Sequence, residues 1–165
     1  MQPSETTSCT TRREFVCDAT TWAVGILASL GVAPATAAAL NVEVRDNLPR
    51  VGNDVTFPLP ASDGATIDRP NWVILVRSQN RVLALGLSCP HQRTPLKWLD
   101  DKHIFQCPKH ESKYHPDGVF ISGRATRSMD RYPLRRDGDN IVVDISKLYK
   151  EDTDRAGWES AILKL

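Results

Sequence analysis

Short runs of β-branched and aromatic residues, separated by turn residues, dominate the chain from residue 55 onward. These runs cover residues 55–59, 72–77, 81–87 and 103–106. The breaks between them carry Asp-Gly, Gln-Asn and Asp-Asp pairs, and such pairs favour turns between strands. The pattern therefore predicts several short antiparallel strands and an all-β body.

A hairpin and a helix are predicted nearer the C-terminus. Residues 132–135 and 141–145 flank the sequence Asp-Gly-Asp-Asn at 137–140, which is typical of a β-hairpin. Apolar residues then recur at helical spacing through residues 151–165, so we predict a short amphipathic helix there. Its Trp158 is expected to pack in the core.

The first 39 residues have the three-part pattern of an export signal. Arg12 and Arg13 precede a long uncharged stretch that ends in alanines near Ala37 and Ala39, which is the order of charged region, apolar region and cleavage site in a signal peptide. The arginine pair resembles the twin-arginine signal, which implies export in a folded state to the periplasm or the outer face of the cytoplasmic membrane. About 24 uncharged residues are also enough for a membrane anchor, so cleavage and anchoring both stay open.

Length and charge narrow the function classes. The chain has 165 residues and a formal net charge of +1, which suits one domain with a short appendage and gives no basic surface for nucleic acid. No nucleic-acid partner is expected.

We divide the chain into a signal or anchor at 1–39, a linker at 40–54, the main domain at 55–150 and a helical tail at 151–165.

Two short segments of the main domain each carry one cysteine and one histidine. One residue separates Cys89 from His91, and two residues separate Cys107 from His110. Fifteen residues lie between the two segments. Each pair follows a predicted strand, so we expect two facing loops that bring two thiolates and two imidazoles to one tip of the sheet. This donor set predicts a metal centre.

Zinc is the alternative metal, because two cysteines and two histidines also suit a structural zinc site. Zinc ribbons and fingers usually place their cysteines two to four residues apart, whereas each cysteine here is paired with a histidine. Without these histidines, a disulfide between Cys89 and Cys107 would be the default expectation for an exported protein. The other two histidines of the body, His103 and His115, are expected to be structural or exposed.

The spacing Cys-x-His, fifteen residues, Cys-x-x-His resembles the motif of the Rieske [2Fe-2S] proteins, and the resemblance runs from about residue 72 to residue 145. It implies an antiparallel β-sandwich with a cluster-binding subdomain of two loops. It also implies a [2Fe-2S] cluster with Cys89 and Cys107 on one iron and His91 and His110 on the other.

Two further residues match the high-potential members of this family, which belong to cytochrome bc and related complexes. Those members carry a serine and a tyrosine two and four residues after the second ligand histidine. Ser112 and Tyr114 stand at these offsets. The resemblance implies that their hydroxyls donate hydrogen bonds to cluster and cysteine sulfur, which raises the reduction potential because the reduced cluster is more negative.

The rim of the site departs from the cytochrome bc pattern. Thr94 and Lys109 stand where that pattern has two disulfide-bonded cysteines, so this bridge cannot form. Beside the first ligand histidine, Gln92 replaces an apolar residue of the pattern and is followed by Arg93. After the second ligand histidine Glu111 replaces a glycine, and Arg124 replaces the proline of a Gly-Pro-Ala segment. Such a rim suits a protein partner better than an apolar quinone.

The resemblance implies an electron-transfer subunit rather than an enzyme on its own. Its partner would be a redox protein or the large subunit of a respiratory or periplasmic oxidoreductase, either a bc-like complex or a molybdenum oxidase resembling arsenite oxidase. A catalytic Rieske oxygenase would need a second iron site, for which the chain is too short. A zinc-stabilised binding module without a redox role is the alternative, and it would be colourless.

Overall fold

The computed structural model describes residues 40–165. The predicted signal or anchor at 1–39, with its twin-arginine motif, lies outside these residues. Within them no helix is long and apolar enough to cross a membrane. The elements are β1 Asn41–Arg45, β2 Arg50–Val51, β3 Asp54–Pro58, β4 Gly64–Asp68, β5 Val73–Ser78, β6 Arg81–Gly86, β7 Lys97–Leu99, β8 Ile104–Gln106, β9 Lys113–Tyr114, β10 Phe120–Ser122, β11 Arg131–Tyr132, β12 Leu134–Asp137, β13 Asn140–Asp144, α1 Arg155–Ser160 and β14 Leu163–Lys164.

These strands form three sheets. The central sheet has the order β1-β4-β5-β6-β11, with β14 also paired to β6, and the outer sheet has the order β12-β13-β3-β2. A separate small sheet, which we call the tip sheet, has the order β10-β9-β8-β7. Neighbouring strands are antiparallel throughout, apart from the parallel pair β1 and β4. The predicted all-β sandwich with a short C-terminal helix is confirmed.

The central sheet is covered on both faces, which explains its unbroken apolar strands. On β5, Val73 and Leu75 pack against the outer sheet, while Ile74 and Val76 belong to the core on the opposite face. Successive residues of a strand point to opposite faces, so a strand buried on both sides loses the alternation of apolar and polar residues. The core next to the tip sheet also contains Cys89 and Cys107.

The predicted linker at 40–54 is wrong in part. Asn41–Arg45 forms β1 and pairs with β4, and Arg50–Val51 forms β2 and pairs with β3. A side chain at Gly64 would meet the carbonyl oxygen of Asn41 at 2.6 Å, so the glycine permits the close approach of β1. Because β1 is an edge strand with mostly exposed side chains, its sequence lacks the apolar run that identified the inner strands.

The predicted helix at 151–165 is shorter than expected. Only Arg155–Ser160 is helical, with the Asp154 side chain accepting a hydrogen bond from the Gly157 N–H at 2.9 Å. Leu163–Lys164 instead pairs with β6, because the free edge of that strand offers backbone partners that a helix end lacks. Trp158 is buried as predicted, and its Nε1–H donates to a backbone carbonyl at 2.8 Å.

Candidate metal centre

The first cysteine lies in a six-residue loop, residues 89–94, between the central sheet and the tip sheet. The backbone N–H of Cys89 donates to the Thr94 carbonyl at 2.9 Å, and the N–H of Arg93 donates to the Cys89 carbonyl at 2.8 Å. Arg93 has a φ of 51°, a left-handed conformation that non-glycine residues rarely adopt. Both hydrogen bonds join the end of the loop to the backbone of Cys89, which fixes the position of the cysteine.

The second loop, residues 107–112, repeats this geometry. The N–H of Cys107 donates to the Ser112 carbonyl at 2.9 Å, and the N–H of Glu111 donates to the Cys107 carbonyl at 3.0 Å. Glu111, like Arg93 in the first loop, is left-handed, with a φ of 56°. Each left-handed residue costs about 1–2 kcal/mol, which the surrounding hydrogen bonds offset. The two loops are thus two copies of one turn, each with its cysteine in the first position.

Both cysteines are buried free thiols. Burial by itself raises the pKa of Cys107, but hydrogen bonds from the backbone at His110 and Lys109 and from the Cys89 thiol outweigh it and lower that pKa. A hydrogen bond with the side chain of Thr94 lowers it further. Both thiols belong to one buried core cluster, and the surroundings of Cys107 favour the thiolate form needed for metal binding.

The two loop histidines also lie together. Their ring centroids are 5.0 Å apart, with the planes at 69°, and His91 is exposed while His110 is half-buried. Partial burial and the positive charges of Arg124, His91 and Lys109 lower the pKa of His110, which favours the neutral imidazole that metals bind. The Nδ1 atom of His110 is buried and has no hydrogen-bond partner within the described chain.

The four side chains are sorted by type, cysteine beside cysteine and histidine beside histidine. Among residues 40–165, no three His, Cys, Asp or Glu side chains converge on the position of a single ion. Two separate pairs, one of sulfur and one of nitrogen, fit a cofactor with two metal atoms. The unpartnered Nδ1 of His110 fits the same role, because a buried polar atom without a partner is costly unless a ligand satisfies it.

Tyr114 packs against the first loop, and Ser112 is the last residue of the second loop. The Oη atom of Tyr114 is 3.4 Å from the Sγ atom of Cys89. Burial, followed by the contact with Cys89, raises the pKa of Tyr114, so its hydroxyl keeps the proton that it can donate. Ser112 is fully buried, and its Oγ accepts a hydrogen bond from the Ala125 N–H at 3.0 Å. This bond ties the second loop to the segment after β10.

The remaining two histidines lie away from the loops. His103 stands at the start of β8, at the opposite end of that strand from Cys107, and its ring is 6.3 Å from that of Trp98. His115 is exposed and follows β9. Sequence reasoning missed the ion pair of Arg127 with Asp130, two residues that line the same cavity as Cys89. Opposite charges three residues apart do not indicate that both side chains are buried together.

The fold and this pair of loops define the class of the protein: a small β-sandwich that holds a metal cofactor at the end of a separate small sheet. Residues 52–133 match the Rieske [2Fe-2S] domain family. The chain belongs to that family, and the cofactor of its domain is a [2Fe-2S] cluster.

Curated relatives with similar sequences are iron-sulfur subunits of the cytochrome b6-f complex. The subunit of Chlorobaculum thiosulfatiphilum is 31% identical over 71 residues, which are 43% of this chain and 39% of the relative. That of Synechococcus sp. (strain JA-3-3Ab) is 29% identical over 72 residues, 44% of this chain and 42% of the relative. The chain thus spans about two fifths of the length of these relatives.

Two solved structures also align with part of the chain, at low similarity. The plasma membrane Rieske protein of Synechocystis PCC 6803 has a TM-score of 0.40 and 22% identity, over 55% of this chain and 85% of that one. The ferredoxin of carbazole 1,9a-dioxygenase from Nocardioides aromaticivorans IC177 has a TM-score of 0.38 and 20% identity, over 53% and 92%.

Proposed function

We propose that this chain carries single electrons through a [2Fe-2S] cluster, with Cys89 and Cys107 as ligands of one iron and His91 and His110 as ligands of the other. The sorting of the four side chains into a sulfur pair and a nitrogen pair supports this assignment. The family supplies the identity of the cluster. When bound, the cluster accepts and releases one electron at a time.

The residues of the chain have separate tasks in this proposal. Burial of the two thiols excludes water from the sulfur side. The exposed ring of His91 brings the nitrogen side to the surface, so an electron has a short path between the cluster and a docked partner. The hydroxyl of Tyr114 donates to the sulfur of Cys89, and this hydrogen bond stabilises the more negative reduced state.

Location and partner are part of the same proposal. The leader with Arg12 and Arg13 supports export to the periplasm or the outer face of the cytoplasmic membrane. The named relatives are subunits of the cytochrome b6-f complex, which supports a large oxidoreductase as donor or acceptor for this chain. The charged rim around the loops favours electron exchange with a protein over direct oxidation of a quinol.

Metal analysis tests the proposal against the zinc alternative. Purified protein is expected to contain two irons and two acid-labile sulfides per chain. It should absorb visible light, and one-electron reduction should give an electron paramagnetic resonance signal. One tightly bound zinc per chain, with no iron or sulfide, would contradict the proposal and favour the non-redox binding module.

Tyr114→Phe is expected to lower the reduction potential by about 30 to 70 mV, since a hydrogen bond to a charged acceptor contributes about 1.5 to 3 kcal/mol and roughly half of it differs between the redox states. Voltammetry on the variant and the parent measures the shift, with the visible spectrum as a check that the cluster is intact. Tyr149→Phe is the matched control, because the ring of that tyrosine packs against Lys147 and Gly157. Equal potentials for parent and Tyr114→Phe would contradict the role of the hydroxyl.

Ser112→Ala is expected to shift the potential in the same direction, with an added loss of stability. The Oγ atom of Ser112 accepts the hydrogen bond of the buried Ala125 N–H, and the variant leaves that donor without a partner. Tyr114→Phe is therefore the cleaner measurement of the two.

A further inference from the structure

Three exposed cations lie in or beside the two loops that carry the histidines. Arg93 lies two residues after His91, and Lys109 directly precedes His110. Arg124 follows Gly123, whose backbone packs against the second loop. All three cationic side chains are exposed. We call Arg93, Lys109 and Arg124 the tip cations.

The tip cations lie in or against the loops that carry the histidines. Lys109 adjoins His110 in the chain, Arg93 is in the loop of His91, and the backbone of Gly123, beside Arg124, packs against Ser112 of the second loop. Within residues 40–165, none of the three forms an ion pair with a carboxylate. Five other arginines of the described chain do form ion pairs with carboxylates: Arg45, Arg77, Arg127, Arg135 and Arg155.

Cations outnumber carboxylates in the segments that form the tip. Glu111, exposed in the second loop, is the one carboxylate within residues 89–94, 107–112 and 123–125. The whole chain has a formal net charge of only +1. Three cations against one carboxylate in these segments attract an oppositely charged partner to this end of the molecule.

We infer that the tip cations form a docking surface for an acidic redox protein, one with carboxylates around its own redox centre. The inference rests on the proposed function, because docking at this end is useful when electrons pass through His91 and His110. Complementary charges at the rim of an interface raise the association rate and fix the orientation of the partners. Here they would hold the partner's redox centre over the exposed ring of His91.

Charge reversal tests the surface. The tip variant combines Arg93→Glu, Lys109→Glu and Arg124→Glu in the cluster-loaded protein. The control variant reverses three exposed cations on strands of the central and outer sheets, which are also outside any ion pair of the described chain: Arg81→Glu, Arg136→Glu and Lys164→Glu. Both variants change the net charge by the same amount, so only the location of the charge differs.

Calorimetry measures binding of each protein to two probes, an acidic blue copper protein and a basic c-type cytochrome. At low salt the parent is expected to bind the acidic probe about tenfold more tightly than the basic one, a preference that fades as salt screens the charges. The tip variant should lose this preference or invert it. The control variant should keep the parent's preference for the acidic probe.

Several results would overturn the inference while the proposed function stands. They are equal binding of both probes by the cluster-loaded parent, an equal loss in the control variant, and tighter binding to anionic phospholipid vesicles than to the acidic probe. The visible spectrum of each sample separates these results from a failure of the proposed function. A parent that contains zinc and no iron would overturn the proposed function itself, and with it the redox role of the surface.

Discussion

Replacement of either loop cysteine is expected to abolish the cluster completely. Cys89→Ser and Cys107→Ser each remove one of the two sulfur ligands proposed for one iron, and a serine hydroxyl is a poor substitute for a thiolate at a site that prefers soft ligands. His91→Ala and His110→Ala should have the same outcome at the other iron. Iron and sulfide content, with the visible spectrum, measures the loss.

The chain contains its own control for the histidine variants. His115→Ala removes an exposed imidazole outside both loops, so that variant should retain the iron and sulfide of the parent. Retention of the cluster in His91→Ala or in Cys89→Ser would contradict the proposed ligand set. Loss of the cluster in His115→Ala would show that the assay reports general instability.

Variants without the cluster are also expected to unfold more easily. Binding free energy of a metal group adds to folding free energy when the unfolded chain has no formed site. The two left-handed residues, Arg93 and Glu111, store strain in the loops, and the cluster would be the group that bridges these loops. Urea unfolding of Cys89→Ser should therefore have a lower midpoint than that of His115→Ala.

The chemistry of the site could be predicted from the sequence because metal ligands are few in type and their spacing is informative. Two cysteine-histidine pairs, each directly after an apolar run, were enough to predict two loops at one end of a sheet. The inner strands were predicted for a similar reason, since Val73–Ser78 and Arg81–Gly86 are rich in β-branched and aliphatic residues that the core requires.

The backbone details of the site could not be predicted in the same way. Nothing in the side chains of Arg93 or Glu111 indicates a left-handed conformation, which non-glycine residues adopt only where surrounding hydrogen bonds fix it. The strand Asn41–Arg45 was missed because its neighbour β4 supplies the pairing, and an exposed edge strand needs few apolar residues of its own. Pairing and loop closure are properties of the assembled fold.

Gly123→Ala is expected to destabilise the protein by about 3 kcal/mol, through a clash with the second loop. Gly123 has a φ of 115°. A Cβ atom there would lie 2.4 Å from the Cα and 2.8 Å from the N of Ser112. Ser112 cannot move away easily, because its carbonyl accepts from Cys107 and its Oγ accepts from Ala125.

Gly138→Ala separates this clash from ordinary backbone strain. Gly138 also has a positive φ, 57°, but a Cβ atom there would have no neighbour within 4 Å. That control should cost only about 1 kcal/mol, the usual penalty for a left-handed alanine. Urea unfolding of the two variants beside the parent measures both losses. Equal losses of stability in the two variants would contradict the close packing of Gly123 against Ser112. A larger loss in Gly123→Ala, together with reduced iron content, would show that this segment holds the second loop in its metal-binding shape.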